Sequence, residues 1–484
     1  MFDIASIHKA FRRPTTNVAF CLASLCSMTA IATEAPTGFD NKTNGFIKDQ
    51  AEFDKDRETF EEVETIDDGL GPVYNATSCV SCHQNPVSGG SSQIPEIRAG
   101  HLAPDPNHPE QITFVEHPGG SLVHQRAIDA TIQEHVLVDD TIRTLRMSTN
   151  VLGNGFVECI RDHDLIAAVD KQRHTPFGDL RGTIVLAPVA ISLDASKERV
   201  GRFGWKSQHA SLLNFSADAY INEMGITSPL QPKENSSNGA DVSKFDKVPD
   251  PEDEADANHP FGKDVEAFTR FMRSTKAPAR NADGGLKAAD VEAGEKLFRD
   301  KADNGKKTGC AICHVPDWNT LPVGHPLPGN FPDNKVPEAL GGKTIHPFSD
   351  FLLHDVGTGD GIVQTQHAQF PPRSAQKIEK MSIPVTPESE GKHVLHLLSE
   401  GGKIQVQENR RCLGGDLIDT ASMIRTAPLW GLRVRPQLLH DGSALTIDGA
   451  IRKHRGQAEK VRLNYEHLLT QEERNELLAF LSSL

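Results

Sequence analysis

The chain has 484 residues, enough for two or three domains with hydrophobic cores of their own. Its formal net charge is −15 at pH 7, and no Lys/Arg patch is dense enough to follow a phosphate backbone. These properties exclude nucleic acid as an expected partner and favour electrostatic docking of a small soluble protein. Hydrophobic residues make up 37% of the chain, and its 39 Gly and 30 Pro predict long loops rather than disorder.

Residues 1–32 have the pattern of a secretory signal peptide. Three basic residues between positions 9 and 13 precede an apolar run from 18 to 31, and Ala30-Ile31-Ala32 matches a small-residue cleavage site. The apolar run is short for a membrane span. We therefore expect a periplasmic protein that is not embedded in a membrane after the signal is cleaved.

Two stretches share the pattern C-x-x-C-H, namely Cys79-Val80-Ser81-Cys82-His83 and Cys310-Ala311-Ile312-Cys313-His314. In this pattern the two thiols bond to the haem vinyl groups and the His binds the iron. Composition alone predicts about 0.006 such stretches in the chain. A zinc site or a redox dithiol is the alternative, but it would give the two His residues no role. The sequence therefore predicts two covalently attached haem c groups. The predicted haem-binding residues are Cys79, Cys82, His83, Cys310, Cys313 and His314.

Further stretches along the chain match one family of haem proteins. They are Asp67-Asp68-Gly69-Leu70-Gly71-Pro72-Val73-Tyr74-Asn75, Gln84-Asn85-Pro86, Gly201-Arg202-Phe203-Gly204-Trp205-Lys206, Met224-Gly225-Ile226-Thr227, Leu352-Leu353-His354-Asp355 and Arg425-Thr426-Ala427-Pro428-Leu429-Trp430-Gly431-Leu432. Together they resemble the di-haem oxidoreductase family, also called thiol oxidoreductase-like and classed with peroxidases. We expect a mainly α fold, made of two cytochrome c-like haem domains with long irregular loops and minor β structure.

Two positions in the first half are candidates for roles at the first haem. Met147 lies in Arg146-Met147-Ser148-Thr149, where the family usually has a proline-containing stretch, so it is a candidate axial ligand; a core methionine is the alternative. Glu223 ends a predicted amphipathic helix that starts at Ser207. The pair Glu223-Met224 is similar to a Glu-Met in bacterial di-haem cytochrome c peroxidases, more distant relatives of the family. There the Glu does acid–base work on peroxide, so the resemblance implies a catalytic role for Glu223, with a surface glutamate as the alternative.

Residues 230–262 have the composition of an acidic linker. They divide the mature chain into an N-terminal haem c domain, residues 33–229, and a C-terminal cytochrome c-like haem domain, residues 263–484. The acidic run at 249–254 could bind Ca²⁺, although a solvated loop is the alternative.

The C-terminal half offers a candidate sixth ligand for the second haem. Residues 436–454 are similar to the peroxidase stretch in which a turn precedes a helix bearing that ligand. The ligand is Met in those peroxidases, and His454 matches it here. The resemblance implies a bis-His iron of lower potential, with a surface His as the alternative. Three arginines suited to haem propionates flank this region: Arg425, Arg433 and Arg435.

Outside the haem motifs and the leader, two cysteines remain, Cys159 and Cys412. An oxidising compartment would allow them one disulfide, and two buried thiols are the alternative.

Three functions fit the sequence. The first is a peroxidase-like oxidoreductase that passes electrons through the second haem to a peroxide-reactive first haem. The alternative is a non-catalytic di-haem electron-transfer protein. Oxidation of a thiol or another small substrate ranks last, because neither remaining cysteine lies in a nucleophile motif. In each case we expect a small soluble electron donor or acceptor as partner, such as a cytochrome or a cupredoxin.

Overall fold

The computed structural model describes residues 32–484 with several gaps. The gaps are 105–108, 110–111, 174, 176, 178–179, 190–197, 251–257, 282–283, 301–307, 330, 364–381, 385–397, 400–402 and 406–419. The predicted signal peptide up to residue 31, Cys412 and most of the acidic run lie outside the described residues. In this part of the chain no helix is long and apolar enough to cross a membrane.

Helices and short sheets alternate along the chain. The α-helices are α1 Gln50–Glu61, α2 Asn154–Glu158, α3 Asp162–Arg173, α4 Leu212–Ala219, α5 Lys263–Ser274, α6 Ala288–Arg299, α7 Ile447–Lys453, α8 Glu459–His467 and α9 Gln471–Ser483. The strands are β1 Thr33–Glu34, β2 Val73–Tyr74, β3 Pro95–Pro104, β4 Ile112–Val115, β5 Leu122–Val123, β6 Arg126–Ala127, β7 Ile142–Met147, β8 Leu186–Pro188, β9 Glu198–Val200, β10 Trp318–Asn319, β11 Lys343–Ile345, β12 Leu353–Asp355, β13 Ser382–Pro384, β14 Leu398–Ser399, β15 Lys403–Gln405 and β16 Met423–Arg425.

The structure is 32% helical and 18% strand, so the expectation of a mainly α fold was wrong. A four-stranded sheet joins β3 to β4, β5 and β7. In it β3 and β7 run antiparallel, in register from Pro95 opposite Met147 to Gly100 opposite Ile142. Gly and Pro interrupt residues 100–145, and this local pattern indicates turns. The strands form because β3 pairs with β7, whose residues are more than 40 positions away along the chain. Local sequence therefore underestimates the strand content.

Helices α1 and α5 form an aromatic core beside the first haem motif. Phe53 and Phe60 are seven residues apart, so both lie on the inner face of α1. There the ring of Phe271 lies 4.6 Å from that of Phe60 and 5.6 Å from that of Phe53 between centroids. This core supports the segment that carries Cys79.

Helices α6 and α9 pack closely beside the second haem motif. A Cβ atom at Gly294 would lie 1.9 Å from the carbonyl oxygen of Glu476, so the contact requires glycine. Helix α9 starts with a capping box, in which the Thr470 and Glu473 side chains each accept a hydrogen bond from the other's backbone N–H. Phe298 and Phe480 fill the contact, with centroids 5.2 Å apart.

Residues 32–484 form one compact unit. One cluster of buried apolar side chains draws residues from Ala35 to Trp430, and a second draws residues from Val291 to Leu484. The first cluster therefore contains side chains from both sides of the predicted linker. The domain boundary at 230–262 stays a prediction.

A buried ion pair ties α2 to α5. The guanidinium of Arg273 donates to both carboxylate oxygens of Glu158, at 2.8 and 3.0 Å, and Glu158 also accepts from the Leu212 N–H at 2.9 Å. Both side chains of the pair are at most 2% exposed. The pair joins segments that are 115 residues apart.

We expect Glu158→Gln to lower the free energy of unfolding by about 3–5 kcal/mol, because it leaves a buried guanidinium without its counter-charge. Denaturant titration of the holoprotein measures this change. The matched control is Glu292→Gln, in an exposed pair with Lys296 in α6, where less than about 1 kcal/mol is expected. Equal losses in the two variants would contradict the prediction.

Candidate haem sites

Each C-x-x-C-H motif forms the same short turn. Residues Cys79–Ser81 and Cys310–Ile312 are single 3₁₀ turns. In each motif the His N–H donates to the carbonyl of the first Cys at 3.0 Å. This turn places both thiols and the imidazole at the wall of one cavity. The first cavity contains Cys79, Cys82 and His83 in its lining, and the second contains Cys310, Cys313 and His314.

The second cavity fits a large, partly apolar and anionic group. Its empty space is about 1800 Å³, including the open mouth, and that of the first cavity is about 1160 Å³. Buried polar atoms line the second cavity without a hydrogen-bond partner among the described residues: Trp430 Nε1, Arg435 Nε, Gln437 Oε1 and His440 Nδ1. The two certain donors among them, Trp430 Nε1 and Arg435 Nε, suit the propionates of a haem.

Two arginines, one buried and one half-buried, strengthen this fit. Arg425 and Arg435 line the second cavity, and burial lowers the pKa of Arg425 to about 9 and that of Arg435 to about 10. Neither forms an ion pair with a carboxylate among the described residues. Arg433, the third predicted arginine, does not line the cavity; it donates to the carbonyl of Ala279.

His314 and His454 face each other across the second cavity. Their ring centroids are 6.4 Å apart. A metal–nitrogen bond of about 2.0 Å puts two imidazoles on opposite sides of one metal at about 6 Å between centroids. The Nδ1 atoms bond to the carbonyls of Phe348 and Ala450 at 3.1 and 2.8 Å, which leaves both Nε2 atoms for a metal. Burial lowers the pKa of both rings, so each imidazole is neutral, the form that binds iron.

The first cavity lacks such a facing pair among the described residues. His83 bonds through Nδ1 to the Gly90 carbonyl at 3.3 Å. The cavity's other imidazole, His209, already bonds to Asn214 at 3.2 Å and to Asp218 at 3.1 Å through its two nitrogens. Met147 also lines this cavity and is 7% exposed. Its role as an axial ligand stays a prediction.

Glu223 lies in the first cavity, on a π-helical turn that spans Tyr220–Met224. Such turns are frequent at functional sites. The carboxylate of Glu223 accepts from Asn75 at 3.1 Å and hydrogen-bonds the side chain of Glu96. Glu96 was not predicted from the sequence, and neither was its partner Arg98, which donates to it at 2.7 Å.

These two carboxyl groups have pKa values shifted in opposite directions. Burial, and then the charge of Glu96, raises the pKa of Glu223 well above its usual value. Burial also acts on Glu96, but the adjacent Arg98 guanidinium holds the pKa of Glu96 below its usual value. The opposite shifts favour a proton on Glu223 rather than on Glu96, and such a split is typical of a pair in which one carboxyl group acts as an acid.

Trp205 lines both cavities. Its indole N–H donates to the carbonyl of Met147 at 2.6 Å, and its ring lies 6.1 Å from that of His440 between centroids. Asp360 forms salt bridges with Arg146 at 2.7 Å and with Lys206 at 2.8 Å. Arg146 precedes Met147 in the sequence, and Lys206 follows Trp205. The indole is therefore held in a fixed position between the two cavities.

The Ca²⁺ site and the disulfide between Cys159 and Cys412 stay predictions. Of the predicted Ca²⁺ site, Asp250 is described; its carboxylate lies within 4.8 Å of those of Glu234 and Asp246. Cys159 is fully buried, while its candidate partner Cys412 lies outside the described residues.

Comparison with known structures gives low similarity. A hydrazine synthase of Kuenenia stuttgartiensis is 14% identical with a TM-score of 0.35, over 100% of both chains. A MauG-like protein associated with microbial copper homeostasis is 14% identical with a TM-score of 0.33, over 95% of both chains. The diheme peroxidase BthA of Burkholderia thailandensis is 12% identical with a TM-score of 0.36, over 90% of this chain and 86% of that one. No curated protein matches the sequence.

A family model gives the decisive match. The model described as "Di-haem oxidoreductase, putative peroxidase" matches residues 121–369, more than half of the chain. The match covers Met147, Trp205, Glu223 and the second haem motif, and it begins after the first motif and after Glu96 and Arg98. The chain belongs to this family, and it is a di-haem, peroxidase-like oxidoreductase.

Proposed function

We propose that the protein reduces peroxide at the first haem with electrons that enter through the second. The observation that carries this proposal is the difference between the two cavities. The second has two imidazoles with ring centroids 6.4 Å apart, which would both bind an iron, whereas the first has His83 and a carboxyl pair, Glu223 and Glu96.

The first haem would be held by Cys79, Cys82 and His83, and it would supply the redox chemistry for peroxide reduction. Glu223 donates a proton to the leaving oxygen, because its carboxyl group is protonated and faces the cavity. Asn75 orients that carboxyl group, and Arg98 keeps Glu96 ionised, so that one proton is held between the two glutamates. The buried wall formed by Phe60 and Tyr220 limits access of water.

Several features are proposed on the same basis. Cys79, Cys82, Cys310 and Cys313 bond covalently to the two haems, and His83, His314 and His454 bind iron. Because such attachment and the leader pattern both belong outside the cytoplasm, the protein works in the periplasm. A small cytochrome or cupredoxin delivers its electrons.

Absorption and EPR spectra of the oxidised and half-reduced holoprotein test the proposal, recorded before and after hydrogen peroxide is added. We expect one haem that stays low-spin throughout and gives up its electron, and one that reacts with peroxide. Two low-spin haems that stay inert after half-reduction would overturn the proposal and leave the electron carrier.

We expect Trp205→Phe to slow electron transfer between the haems severalfold, because the indole and its bond to Met147 bridge the two cavities. Stopped-flow mixing of the reduced second haem with peroxide measures this step. Trp318→Phe is the control, since Trp318 lines neither cavity and bonds to the Ser349 carbonyl. An unchanged transfer rate in Trp205→Phe would show that the route bypasses the indole.

A further inference from the structure

Tyr220 occupies an unusual position beside the first cavity. Its side chain lines that cavity, yet it is 1% exposed. Its ring packs edge-on against Phe268, with centroids 5.1 Å apart, and Phe268 contacts Phe60, whose ring lies 6.3 Å from His83. An aromatic path therefore connects the phenol to the predicted iron ligand.

Two carboxyl groups share the buried hydroxyl of Tyr220. The hydroxyl donates to Asp264 Oδ2 at 3.1 Å, and it also hydrogen-bonds the side chain of Glu64. A phenol has only one proton to donate, so it can bond to both groups only if one of them is protonated and donates to the phenol oxygen. Burial, and then the charge of Asp264, raises the pKa of Glu64 to about 7. Asp264 accepts the hydrogen bond from the Tyr220 hydroxyl, and burial raises the pKa of Asp264 as well, which makes it a better acceptor for the phenolic proton.

In this arrangement a carboxylate can accept the phenolic proton. Asp264 stands in the first turn of α5 and is partly exposed, so it connects the buried phenol with solvent. A phenol is much easier to oxidise when its proton can leave together with the electron. One hydrogen bond is enough to satisfy a buried tyrosine hydroxyl. Burying a second carboxyl group beside that hydroxyl lowers the stability of the fold.

We propose that Tyr220 is a redox-active tyrosine that supplies an electron to the first haem site when no external donor is available. After peroxide has oxidised the first haem site, Tyr220 gives one electron to that site. Its O–H bond breaks, the proton forms a new O–H bond to the Asp264 carboxylate, and a neutral tyrosyl radical remains. The inference rests on the proposed peroxide reaction. It adds a protective function, because the oxidising equivalent is held at a defined residue instead of damaging the cavity.

EPR of the oxidised holoprotein, frozen after addition of excess peroxide without donor, tests the proposal. The chain has three tyrosines, so growth on ring-deuterated tyrosine identifies a tyrosyl signal by its narrowed hyperfine structure. We expect this signal in the parent protein and its loss in Tyr220→Phe. Tyr465→Phe is the matched control, because Tyr465 also donates to an aspartate, Asp448, at 2.7 Å, but lines neither cavity.

Asp264→Asn keeps the phenol and removes the proton acceptor, so we expect it to abolish the signal as well. This second variant guards against misfolding of Tyr220→Phe, and haem absorption reports folding in both. Absorption changes on peroxide addition separate the two proposals. If the haem does not react, the proposed function fails. If it reacts but the parent forms no tyrosyl radical, or if the radical persists in Tyr220→Phe, the inference about Tyr220 is overturned.

Discussion

Glu223→Gln lowers the peroxidase kcat by about 10²- to 10⁴-fold, the range expected when a general acid is removed. The amide has the size of the acid and can still bond to Asn75, so the cavity keeps its shape. It has no ionisable proton to give to the leaving oxygen. Steady-state assays with an artificial electron donor measure the change, and spectra confirm that both haems are present.

The pH profile of activity distinguishes loss of the Glu223 proton from damage to the structure of the variant. Since the pKa of Glu223 is raised, the carboxyl group carries its proton below that pKa and loses it as the pH rises through it. Activity that depends on this proton is therefore present at lower pH and falls as the pH increases. We expect this descending limb in the parent protein and not in Glu223→Gln. A variant that retains both kcat and the limb would show that another group supplies the proton.

Local sequence was sufficient for the two C-x-x-C-H turns. In each motif the His N–H returns to the carbonyl of the first Cys, so five consecutive residues determine the arrangement of thiols and imidazole. The turn needs no distant contact. The cap of helix α9 is equally local, because its capping residues, Thr470 and Glu473, lie within one turn.

The carboxyl pair of the first cavity could be predicted only in part. Resemblance to the peroxidases indicated Glu223, but Glu96 lies 127 residues earlier in β3 and reaches it only in the folded chain. The one available signal was the spacing of Glu96 and Arg98, which puts both on the same face of a strand. That strand was not predicted, because its pairing with β7 is long-range.

The position of Trp205 between the cavities could not be predicted from local sequence either. The tryptophan stands in a stretch that resembles the family, but its place between the cavities depends on the carbonyl of Met147 and on the Asp360 ion pairs. Asp360 lies 155 residues beyond Trp205. No pattern near the tryptophan indicates these contacts.

His454→Met raises the reduction potential of the second haem by on the order of 0.1 V, well inside the roughly 0.8 V that axial ligands span. The ring of His454 lies opposite that of His314 at 6.4 Å, and a thioether at this position would stabilise the reduced iron relative to an imidazole. Potentiometric titration followed by absorption measures the shift, and EPR reports the change of ligand.

The consequence for turnover follows from the direction of electron flow. A higher potential at the second haem weakens the driving force for passing an electron to the first, so peroxide turnover should slow even though Glu223 and its cavity are intact. His467→Met is the control, because His467 is 70% exposed at the end of α8 and lines neither cavity. If His454→Met leaves both the potential and the low-spin spectrum unchanged, His454 is not an iron ligand, and the different roles proposed for the two haems lose their structural basis.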